Sequence, residues 1–368
     1  MNTRATNNPA QAEMTLTLHC PLVKCGQDVR RGETIATSNV PDRGDIHAPF
    51  SGRVLHVDPY RIRIAPEAGE TVDAVSLDGL SGLKLRNRLA ELGADLPAVS
   101  TADTLIINAV DAEPTVVSRR ELLDKHADTL LAGCKALAEA YHPASTALAV
   151  PGGSAHALDG TETTVISGHY PAGLDPLVAK AVTGSEAPQD TVVVGLETVF
   201  HVGRIMETGL PAMETMVTVG DSGRVIPLGT PVGTIIDAEG EVLLDRDRIV
   251  LGGALRGTAA SSPNQGVDRS TLAVAVVSSP APVAMDTACV GCGECVRRCP
   301  ARLDPAMITS YAEFGMYAEA AREHVTACFE CGLCGYFCIA RRPMLQYIRI
   351  AKNELARAAA QTGEENQQ

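Results

Sequence analysis

Cys289-Val-Gly-Cys292-Gly-Glu-Cys295-Val-Arg-Arg-Cys299-Pro300 and Cys328-Phe-Glu-Cys331-Gly-Leu-Cys334-Gly-Tyr-Phe-Cys338-Ile339 hold eight of the eleven cysteines in this 368-residue chain. Both runs have the spacing C-x2-C-x2-C-x3-C. Cysteines separated by two residues form a tight loop that can place three thiolates on one metal cluster. The fourth cysteine starts the following segment and faces away from that loop. Structural zinc is the competing use of such residues. Zinc, however, takes paired C-x2-C knuckles with four ligands in all.

The triple-plus-one spacing matches that of bacterial two-cluster ferredoxins, in which the fourth cysteine of each run ligates the other cluster. Two [4Fe–4S] clusters are therefore expected. Cys289, Cys292, Cys295 and Cys338 would hold the first, and Cys328, Cys331, Cys334 and Cys299 the second. Gly291, Gly293, Gly332 and Gly335 let the backbone approach the clusters and aim N–H groups at sulfur. Ile339 stands where such motifs usually carry proline, so the second run is expected to change its backbone locally while keeping its cluster.

The segment between the runs supports a small helical domain. Asp304-Pro305 reads as an N-cap followed by the first helical residue. A helix from Pro305 to about Phe314, a break at Gly315 and a helix from Met316 to about Val325 form a hairpin. Another helix opens after Pro343, with Met344, Leu345, Ile348, Ala351 and Leu355 on one face. Arg341, Arg342, Arg349, Lys352 and Arg357 would form its solvated basic side, with a docking surface for an acidic redox partner or anionic headgroups as the alternative. Gln361–Gln368 reads as a frayed tail.

Composition limits the remaining possibilities. A chain of this length holds two or three domains. Its hydrophobic content of 45% and charged content of 20% exclude wholesale disorder. A net charge of −13 and the absence of tryptophan argue against nucleic acid as a partner. No apolar run approaches the roughly 18 residues of a membrane span, and the first residues show no apolar signal core. A cytoplasmic location with reduced thiols is expected. Cys134 reads as a buried apolar residue, and Cys20 and Cys25 lack partners at metal spacing.

Upstream, Leu16–Ile64 is rich in short β runs and turns. Gly26–Gly32 and His47-Ala-Pro-Phe-Ser-Gly52 resemble the two halves of a lipoyl-type barrel-sandwich hybrid. The hairpin tip at Ser38–Gly44 has no lysine, which implies a structural module without a swinging arm. From Thr104 the pattern alternates strand and helix: strands at Thr104–Val110, Ala147–Val150, Thr163–Ile166 and Thr191–Val194, and helices at Ser118–Tyr141, Leu174–Val182 and Glu197–Thr208. This order reads as an α/β sheet domain. Val217–Gly220, Pro227–Gly233 and Arg248–Gly253 read as a small β-grasp unit. Pro151-Gly-Gly-Ser-Ala155 is a weak phosphate-loop signal.

The order of parts resembles the RnfC family, the C subunits of Rnf-type electron transport complexes, along nearly the whole chain. The residues carrying the likeness are Asn108-Ala-Val-Asp-Ala-Glu113-Pro114, Tyr170-Pro-Ala-Gly173, Val217-Thr-Val-Gly-Asp221, Ile226–Gly233, Gly252-Gly253 and the two cysteine runs. The cobalamin reductase of propanediol-using microcompartments shares the plan, as does, more distantly, the NADH-binding flavoprotein subunit of complex I. The resemblance implies a multidomain α/β protein. Its parts would be a barrel-sandwich hybrid (1–75), a flavoprotein-like nucleotide-binding α/β domain (76–210), an SLBB-like β-grasp unit (211–260), a linker (261–282) and an α-helical two-cluster ferredoxin domain (283–360). It further implies electron transfer with integral membrane subunits, from a position on the cytoplasmic face of the cell membrane. A soluble or haem redox protein would serve as donor or acceptor.

Relatives carry a G-x-G-G-A-G-F-P-T loop that holds FMN and NADH, just before the N-x-x-E-x-E-P strand end. Here Leu89–Asp103 leads straight into the strand and the loop is missing. The first acid of the motif moves to Asp111, and Leu174 follows Gly173 where relatives show a second glycine. Asn108, Asp111 and Glu113 remain the candidate nucleotide pocket, the alternative being that they cap a strand end in a vestigial site. Without the loop, FMN and NADH are not expected to bind, because Asp95, Asp103, Asp111 and Glu113 would repel a phosphate. The leading expectation is an iron–sulfur relay subunit. The alternatives are an NADH:FMN dehydrogenase or cobalamin-reductase-like flavoprotein, and a docking or assembly protein whose clusters are structural.

Overall fold

The computed structural model describes residues 9–278 and 287–365. Residues 1–8, the end of the expected linker (279–282) and residues 283–286 lie outside it. The described chain forms two compact units. One is 9–253 with 258–278, and the other is 254–257 with 287–365.

The first unit begins with two small antiparallel sheets. One contains Ala12–Thr15, Arg61–Pro66, Gly52–Asp58 and Asp28–Val29, and the other His19–Pro21, Thr34–Ser38 and Ile46–His47. The alternation Arg61-Ile62-Arg63-Ile64 drives Ile62 and Ile64 into a core with Met14, Val29, Ile35 and Val54. The turn after Ser38 is tied down. The Gly44 amide donates to Asp95 (2.9 Å), Arg269 donates to the Gly44 carbonyl (2.8 Å), and Arg86 donates to the Pro41 carbonyl (3.2 Å).

Next comes a four-stranded parallel sheet in the order Glu162–Ile166, Ser145–Pro151, Thr104–Asn108, Thr191–Gly195. Leu105, Ile106 and Ile107 are fully buried, as a parallel strand covered on both faces requires. The single helix expected over Ser118–Tyr141 is two, Ser118–Lys125 and Ala127–Tyr141. The first packs on the helix Leu196–Thr208 and on the strands Glu214–Val219 and Ser222–Pro227, and the second packs mainly on that same helix. The chain bends at His126, whose ring lies edge-on to Phe200 at 5.2 Å. Ala127–Tyr141 and Leu196–Thr208 approach closely at two glycines. A Cβ on Gly133 would lie 2.1 Å from the Val199 carbonyl oxygen, and one on Gly203 2.0 Å from that of Thr129.

A five-stranded sheet follows, in the order Ser222–Pro227, Glu214–Val219, Ala273–Val277, Arg248–Leu251, Thr258–Ala259. This corrects the linker expected over 261–282. Ala273–Val277 is the central strand, parallel to Glu214–Val219 and antiparallel to Arg248–Leu251. Its run Ala-Val-Ala-Val-Val is β-branched and half-buried, and Val267 and Val274 belong to this sheet's core.

In the second unit the helices Pro305–Glu313, Tyr317–Arg322 and Met344–Glu365 enclose Ile308, Ala312, Ala320, Val325, Met344, Ile348 and Ala351. Asp304 caps the first of these, accepting from the Met307 amide at 3.0 Å. Gly315 breaks the hairpin at φ +70°. The last helix continues to Glu365, through the first part of the expected frayed tail. Among the described residues, no helix is long and apolar enough to cross a membrane.

Candidate functional site

The two cysteine runs fold alike. Gly293 and Gly332, both left-handed (φ +72° and +74°), start the one-turn helices Glu294–Arg297 and Leu333–Tyr336. These turns carry Cys295 and Cys334 inward. Amides aim at sulfur in both runs: Gly291 to Cys289 (3.4 Å), Glu330 to Cys328 (3.3 Å) and Leu303 to Cys299 (3.4 Å). Three positions past the fourth cysteine, Arg302 and Arg341 are both left-handed (φ +58° and +52°). Their amides bond the carbonyls of Cys299 and Cys338 at 3.1 and 3.0 Å. The local backbone change expected at Ile339 is therefore not found. The exit turn is set by that hydrogen bond, which Pro300 and Ile339 both allow.

The fold brings the cysteines together across the runs. Cys338 lines one cavity of about 220 Å³ with Cys289, Cys292 and Cys295. Cys299 lies with Cys328, Cys331 and Cys334, close enough that its charge adds to the upward shift of all three thiols. Burial is the main cause of that shift, and it pushes Cys328 up to about 11 and Cys334 up to about 12. Thiols this reluctant to ionise become thiolate ligands only when a cation compensates them, as iron would. The donor set, the cavity and the amides directed at sulfur all fit [4Fe–4S] clusters, which store and release single electrons.

The two sites differ in cover. Cys289 and Cys292 are exposed, whereas Cys331 and Cys334 are buried. The expected solvated basic face on the last helix is corrected in part. Arg342 is buried and pairs with Glu313. Arg349 and Lys352 both bond Glu330, at 3.0 and 2.6 Å. These cations had partners that helical periodicity could not reveal, because Glu330 lies within the second cysteine run. Comparing the runs position by position would have flagged it, since Glu330 stands where the first run has Gly291 and shares its left-handed backbone.

The candidate nucleotide residues are used inside the fold. Asn108, fully buried, donates to the Gly173 carbonyl (2.9 Å) and to Asp175 (2.7 Å), and accepts from the Val110 amide (3.1 Å). Asp111 accepts from the Arg119 and Arg120 amides (3.0 and 3.3 Å) at the start of the helix Ser118–Lys125, and burial pushes it up to about 6. Glu113 is buried against Gly253.

In an open α/β sheet, ligands bind where successive connections leave in opposite directions. Here that point lies between the C-terminal ends of Thr104–Asn108 and Thr191–Gly195. A buried ion pair not foreseen from sequence sits there. Arg119 bonds Glu197 at 2.9 Å, both side chains being 8% exposed, and Arg119 also donates to the Val110 carbonyl at 2.8 Å. Both side chains pack against Gly195. Where relatives carry the glycine loop, Leu89, Leu92, Ala94, Leu96 and Ala102 are core residues. Asp95 is paired with Arg269 at 2.9 Å, so it is not a free acid. Asp111 already occupies the helix start that would receive a phosphate. These residues do not fit a bound flavin phosphate.

Residues 281–339 match the 4Fe-4S dicluster domain family. The C subunit of the ion-translocating oxidoreductase complex of Rhodobacter capsulatus is 26% identical, over 91% of this chain and 75% of its own length. The C subunit of the Na(+)-translocating ferredoxin:NAD(+) oxidoreductase complex of Acetobacterium woodii is 24% identical, over 91% of this chain and 87% of its own. A chain of the air-oxidized NAD+-reducing [NiFe]-hydrogenase superposes with a TM-score of 0.36 and 18% identity over 61% of this chain and 46% of that one, too loosely to define the fold.

Proposed function

We propose, from the likeness to the C subunits of ion-translocating oxidoreductase complexes along nine tenths of the chain, that this protein is an iron–sulfur electron-transfer subunit of such a complex. The observation that carries the reading is the pairing of cysteines across the runs. Cys338 faces the first cavity and Cys299 joins the second group. The protein's part is to hold two clusters near one another and shield one of them.

In this reading 9–75 is a barrel-sandwich hybrid, 76–210 a flavoprotein-like α/β domain, 211–278 an SLBB-like β-grasp unit and 287–360 a ferredoxin-type domain. The α/β domain has lost its flavin site, because the Arg119–Glu197 pair and Asp111 take up the strand ends and helix start where a nucleotide would bind. Electrons then arrive from another redox protein and leave to integral membrane subunits, with the chain peripheral on the cytoplasmic face. The test is iron, sulfide and flavin analysis of anaerobically purified protein. About eight iron per chain and no stoichiometric FMN are expected. Two zinc ions, or four iron, would overturn the reading.

A further inference from the structure

The two cysteine runs repeat one local fold, yet their surroundings differ at matching positions. At Gly293 in the first run, an added Cβ would meet nothing within 4 Å. At Gly332, its counterpart, a Cβ would lie 2.2 Å from the Leu255 carbonyl oxygen. The segment Ala254–Gly257 thus covers the second run directly, and Arg256 Nε donates to the Glu330 carbonyl at 3.2 Å.

The charges differ in the same way. In the first run Glu294 meets Arg297 and Arg298 at the surface, where both arginine side chains are more than half exposed. Water and salt screen such charges. In the second run Glu330 binds Arg349 (3.0 Å) and Lys352 (2.6 Å), and all three side chains are about three-quarters buried. Lys352 Nζ also donates to the Cys328 carbonyl at 3.1 Å, and Arg349 to the Arg256 carbonyl at 2.7 Å. Glu330 holds this geometry from a left-handed backbone (φ +54°) that its counterpart Gly291 adopts freely.

We infer that Lys352, anchored by Glu330 beside Arg349, is a positioning residue that raises the electron affinity of the cluster held by Cys328, Cys331, Cys334 and Cys299. The inference rests on the proposed ligand sets. Reduction adds one negative charge to a cluster. A fixed cation within a few ångströms of the ligand backbone, in a partly dehydrated setting, favours the reduced form. Lys352 and Arg349 together carry one positive charge more than Glu330, and that surplus lies on the second cluster's side.

The experiment is a redox titration of the anaerobically reconstituted full chain, following each cluster by electron paramagnetic resonance. Cys299→Ser and Cys338→Ser assign the two signals. Lys352→Gln should weaken the second cluster's hold on its electron about tenfold, a fall of about 59 mV for a one-electron couple. The first cluster should be unmoved, and Lys352→Arg should restore the potential. Glu330→Gln keeps an acceptor for Lys352 while removing the negative charge, so it should shift the same cluster the opposite way, which general loosening of the fold would not do. Wild-type protein with eight iron whose second-cluster potential ignores Lys352→Gln would overturn the inference alone. Wild-type protein with fewer than eight iron would overturn the ligand sets beneath it.

Discussion

Cys338 lines the same cavity as Cys289, although the two belong to different cysteine runs. In the proposed ligation each cluster therefore depends on both runs, and the helical hairpin between them, with the core of Ile308, Ala312 and Ala320, fixes the distance between the runs. Cys338→Ser should disturb the cluster of Cys289, Cys292 and Cys295 and leave that of Cys328, Cys331 and Cys334 intact. Electron paramagnetic resonance of the reduced variant checks this. Loss confined to the second-run signal would show that each run ligates its own cluster.

Arg119 and Glu197 are each 8% exposed and 2.9 Å apart. Removing one partner leaves the other as an uncompensated buried charge, at a cost of about 3–5 kcal/mol. Arg119→Met should lower the thermal midpoint of unfolding strongly. Arg119→Met with Glu197→Leu should recover much of it, because a buried pair replaced by apolar residues is often near neutral. Calorimetry on the three proteins gives the comparison.

Acid should destabilise the first unit through two buried histidines. Burial, helped by Arg269, holds His47 down at about 3 and His201 at about 4. The unfolded chain takes up these protons near 6.5, so between that pH and about 4 it binds more protons than the folded chain. Stability then falls as pH falls, by about 1.4 kcal/mol per pH unit for each histidine. Asp111, raised to about 6 by burial, acts the other way and recovers part of the loss. Denaturant melts from pH 7 to 4 should show a net decline. His47→Gln with His201→Gln should flatten it, whatever its effect at pH 7.

The contact between Ala127–Tyr141 and Leu196–Thr208 leaves no room for a methyl group at Gly203, where a Cβ would meet the Thr129 carbonyl oxygen at 2.0 Å. Gly203→Ala should destabilise by about 1–3 kcal/mol or more, because the obstacle is backbone. Gly240→Ala, at an open turn, should cost less, through its positive φ alone. Chemical denaturation of both variants separates crowding from backbone strain.

Much of this architecture was legible because local signals agreed. Asp304-Pro305 marked a helix start, Thr104–Val110 marked a buried strand, and the cysteine spacing marked a two-cluster domain. The misses share a cause. Ala273–Val277 looked like a tether because its partners, Glu214–Val219 and Arg248–Leu251, are distant in sequence. His126 carries no breaker signal, and its bend lets the first helix reach the strands Glu214–Val219 and Ser222–Pro227 while both helices keep Leu196–Thr208 as a partner. The uses of Glu330, Lys352 and Arg119 depend on side chains meeting across the fold, which no periodicity encodes.

A two-cluster relay of the proposed kind takes its electrons from another protein and not from NADH. The most direct test is an anaerobic titration of the purified, eight-iron chain, first with NADH and then with a reduced low-potential electron donor protein, following cluster absorbance and acid-released flavin. The expected result is no bleaching with NADH, uptake of about two electrons per chain from the protein donor, and no stoichiometric flavin. One FMN per chain with rapid bleaching on adding NADH would contradict it and make the protein a dehydrogenase in its own right.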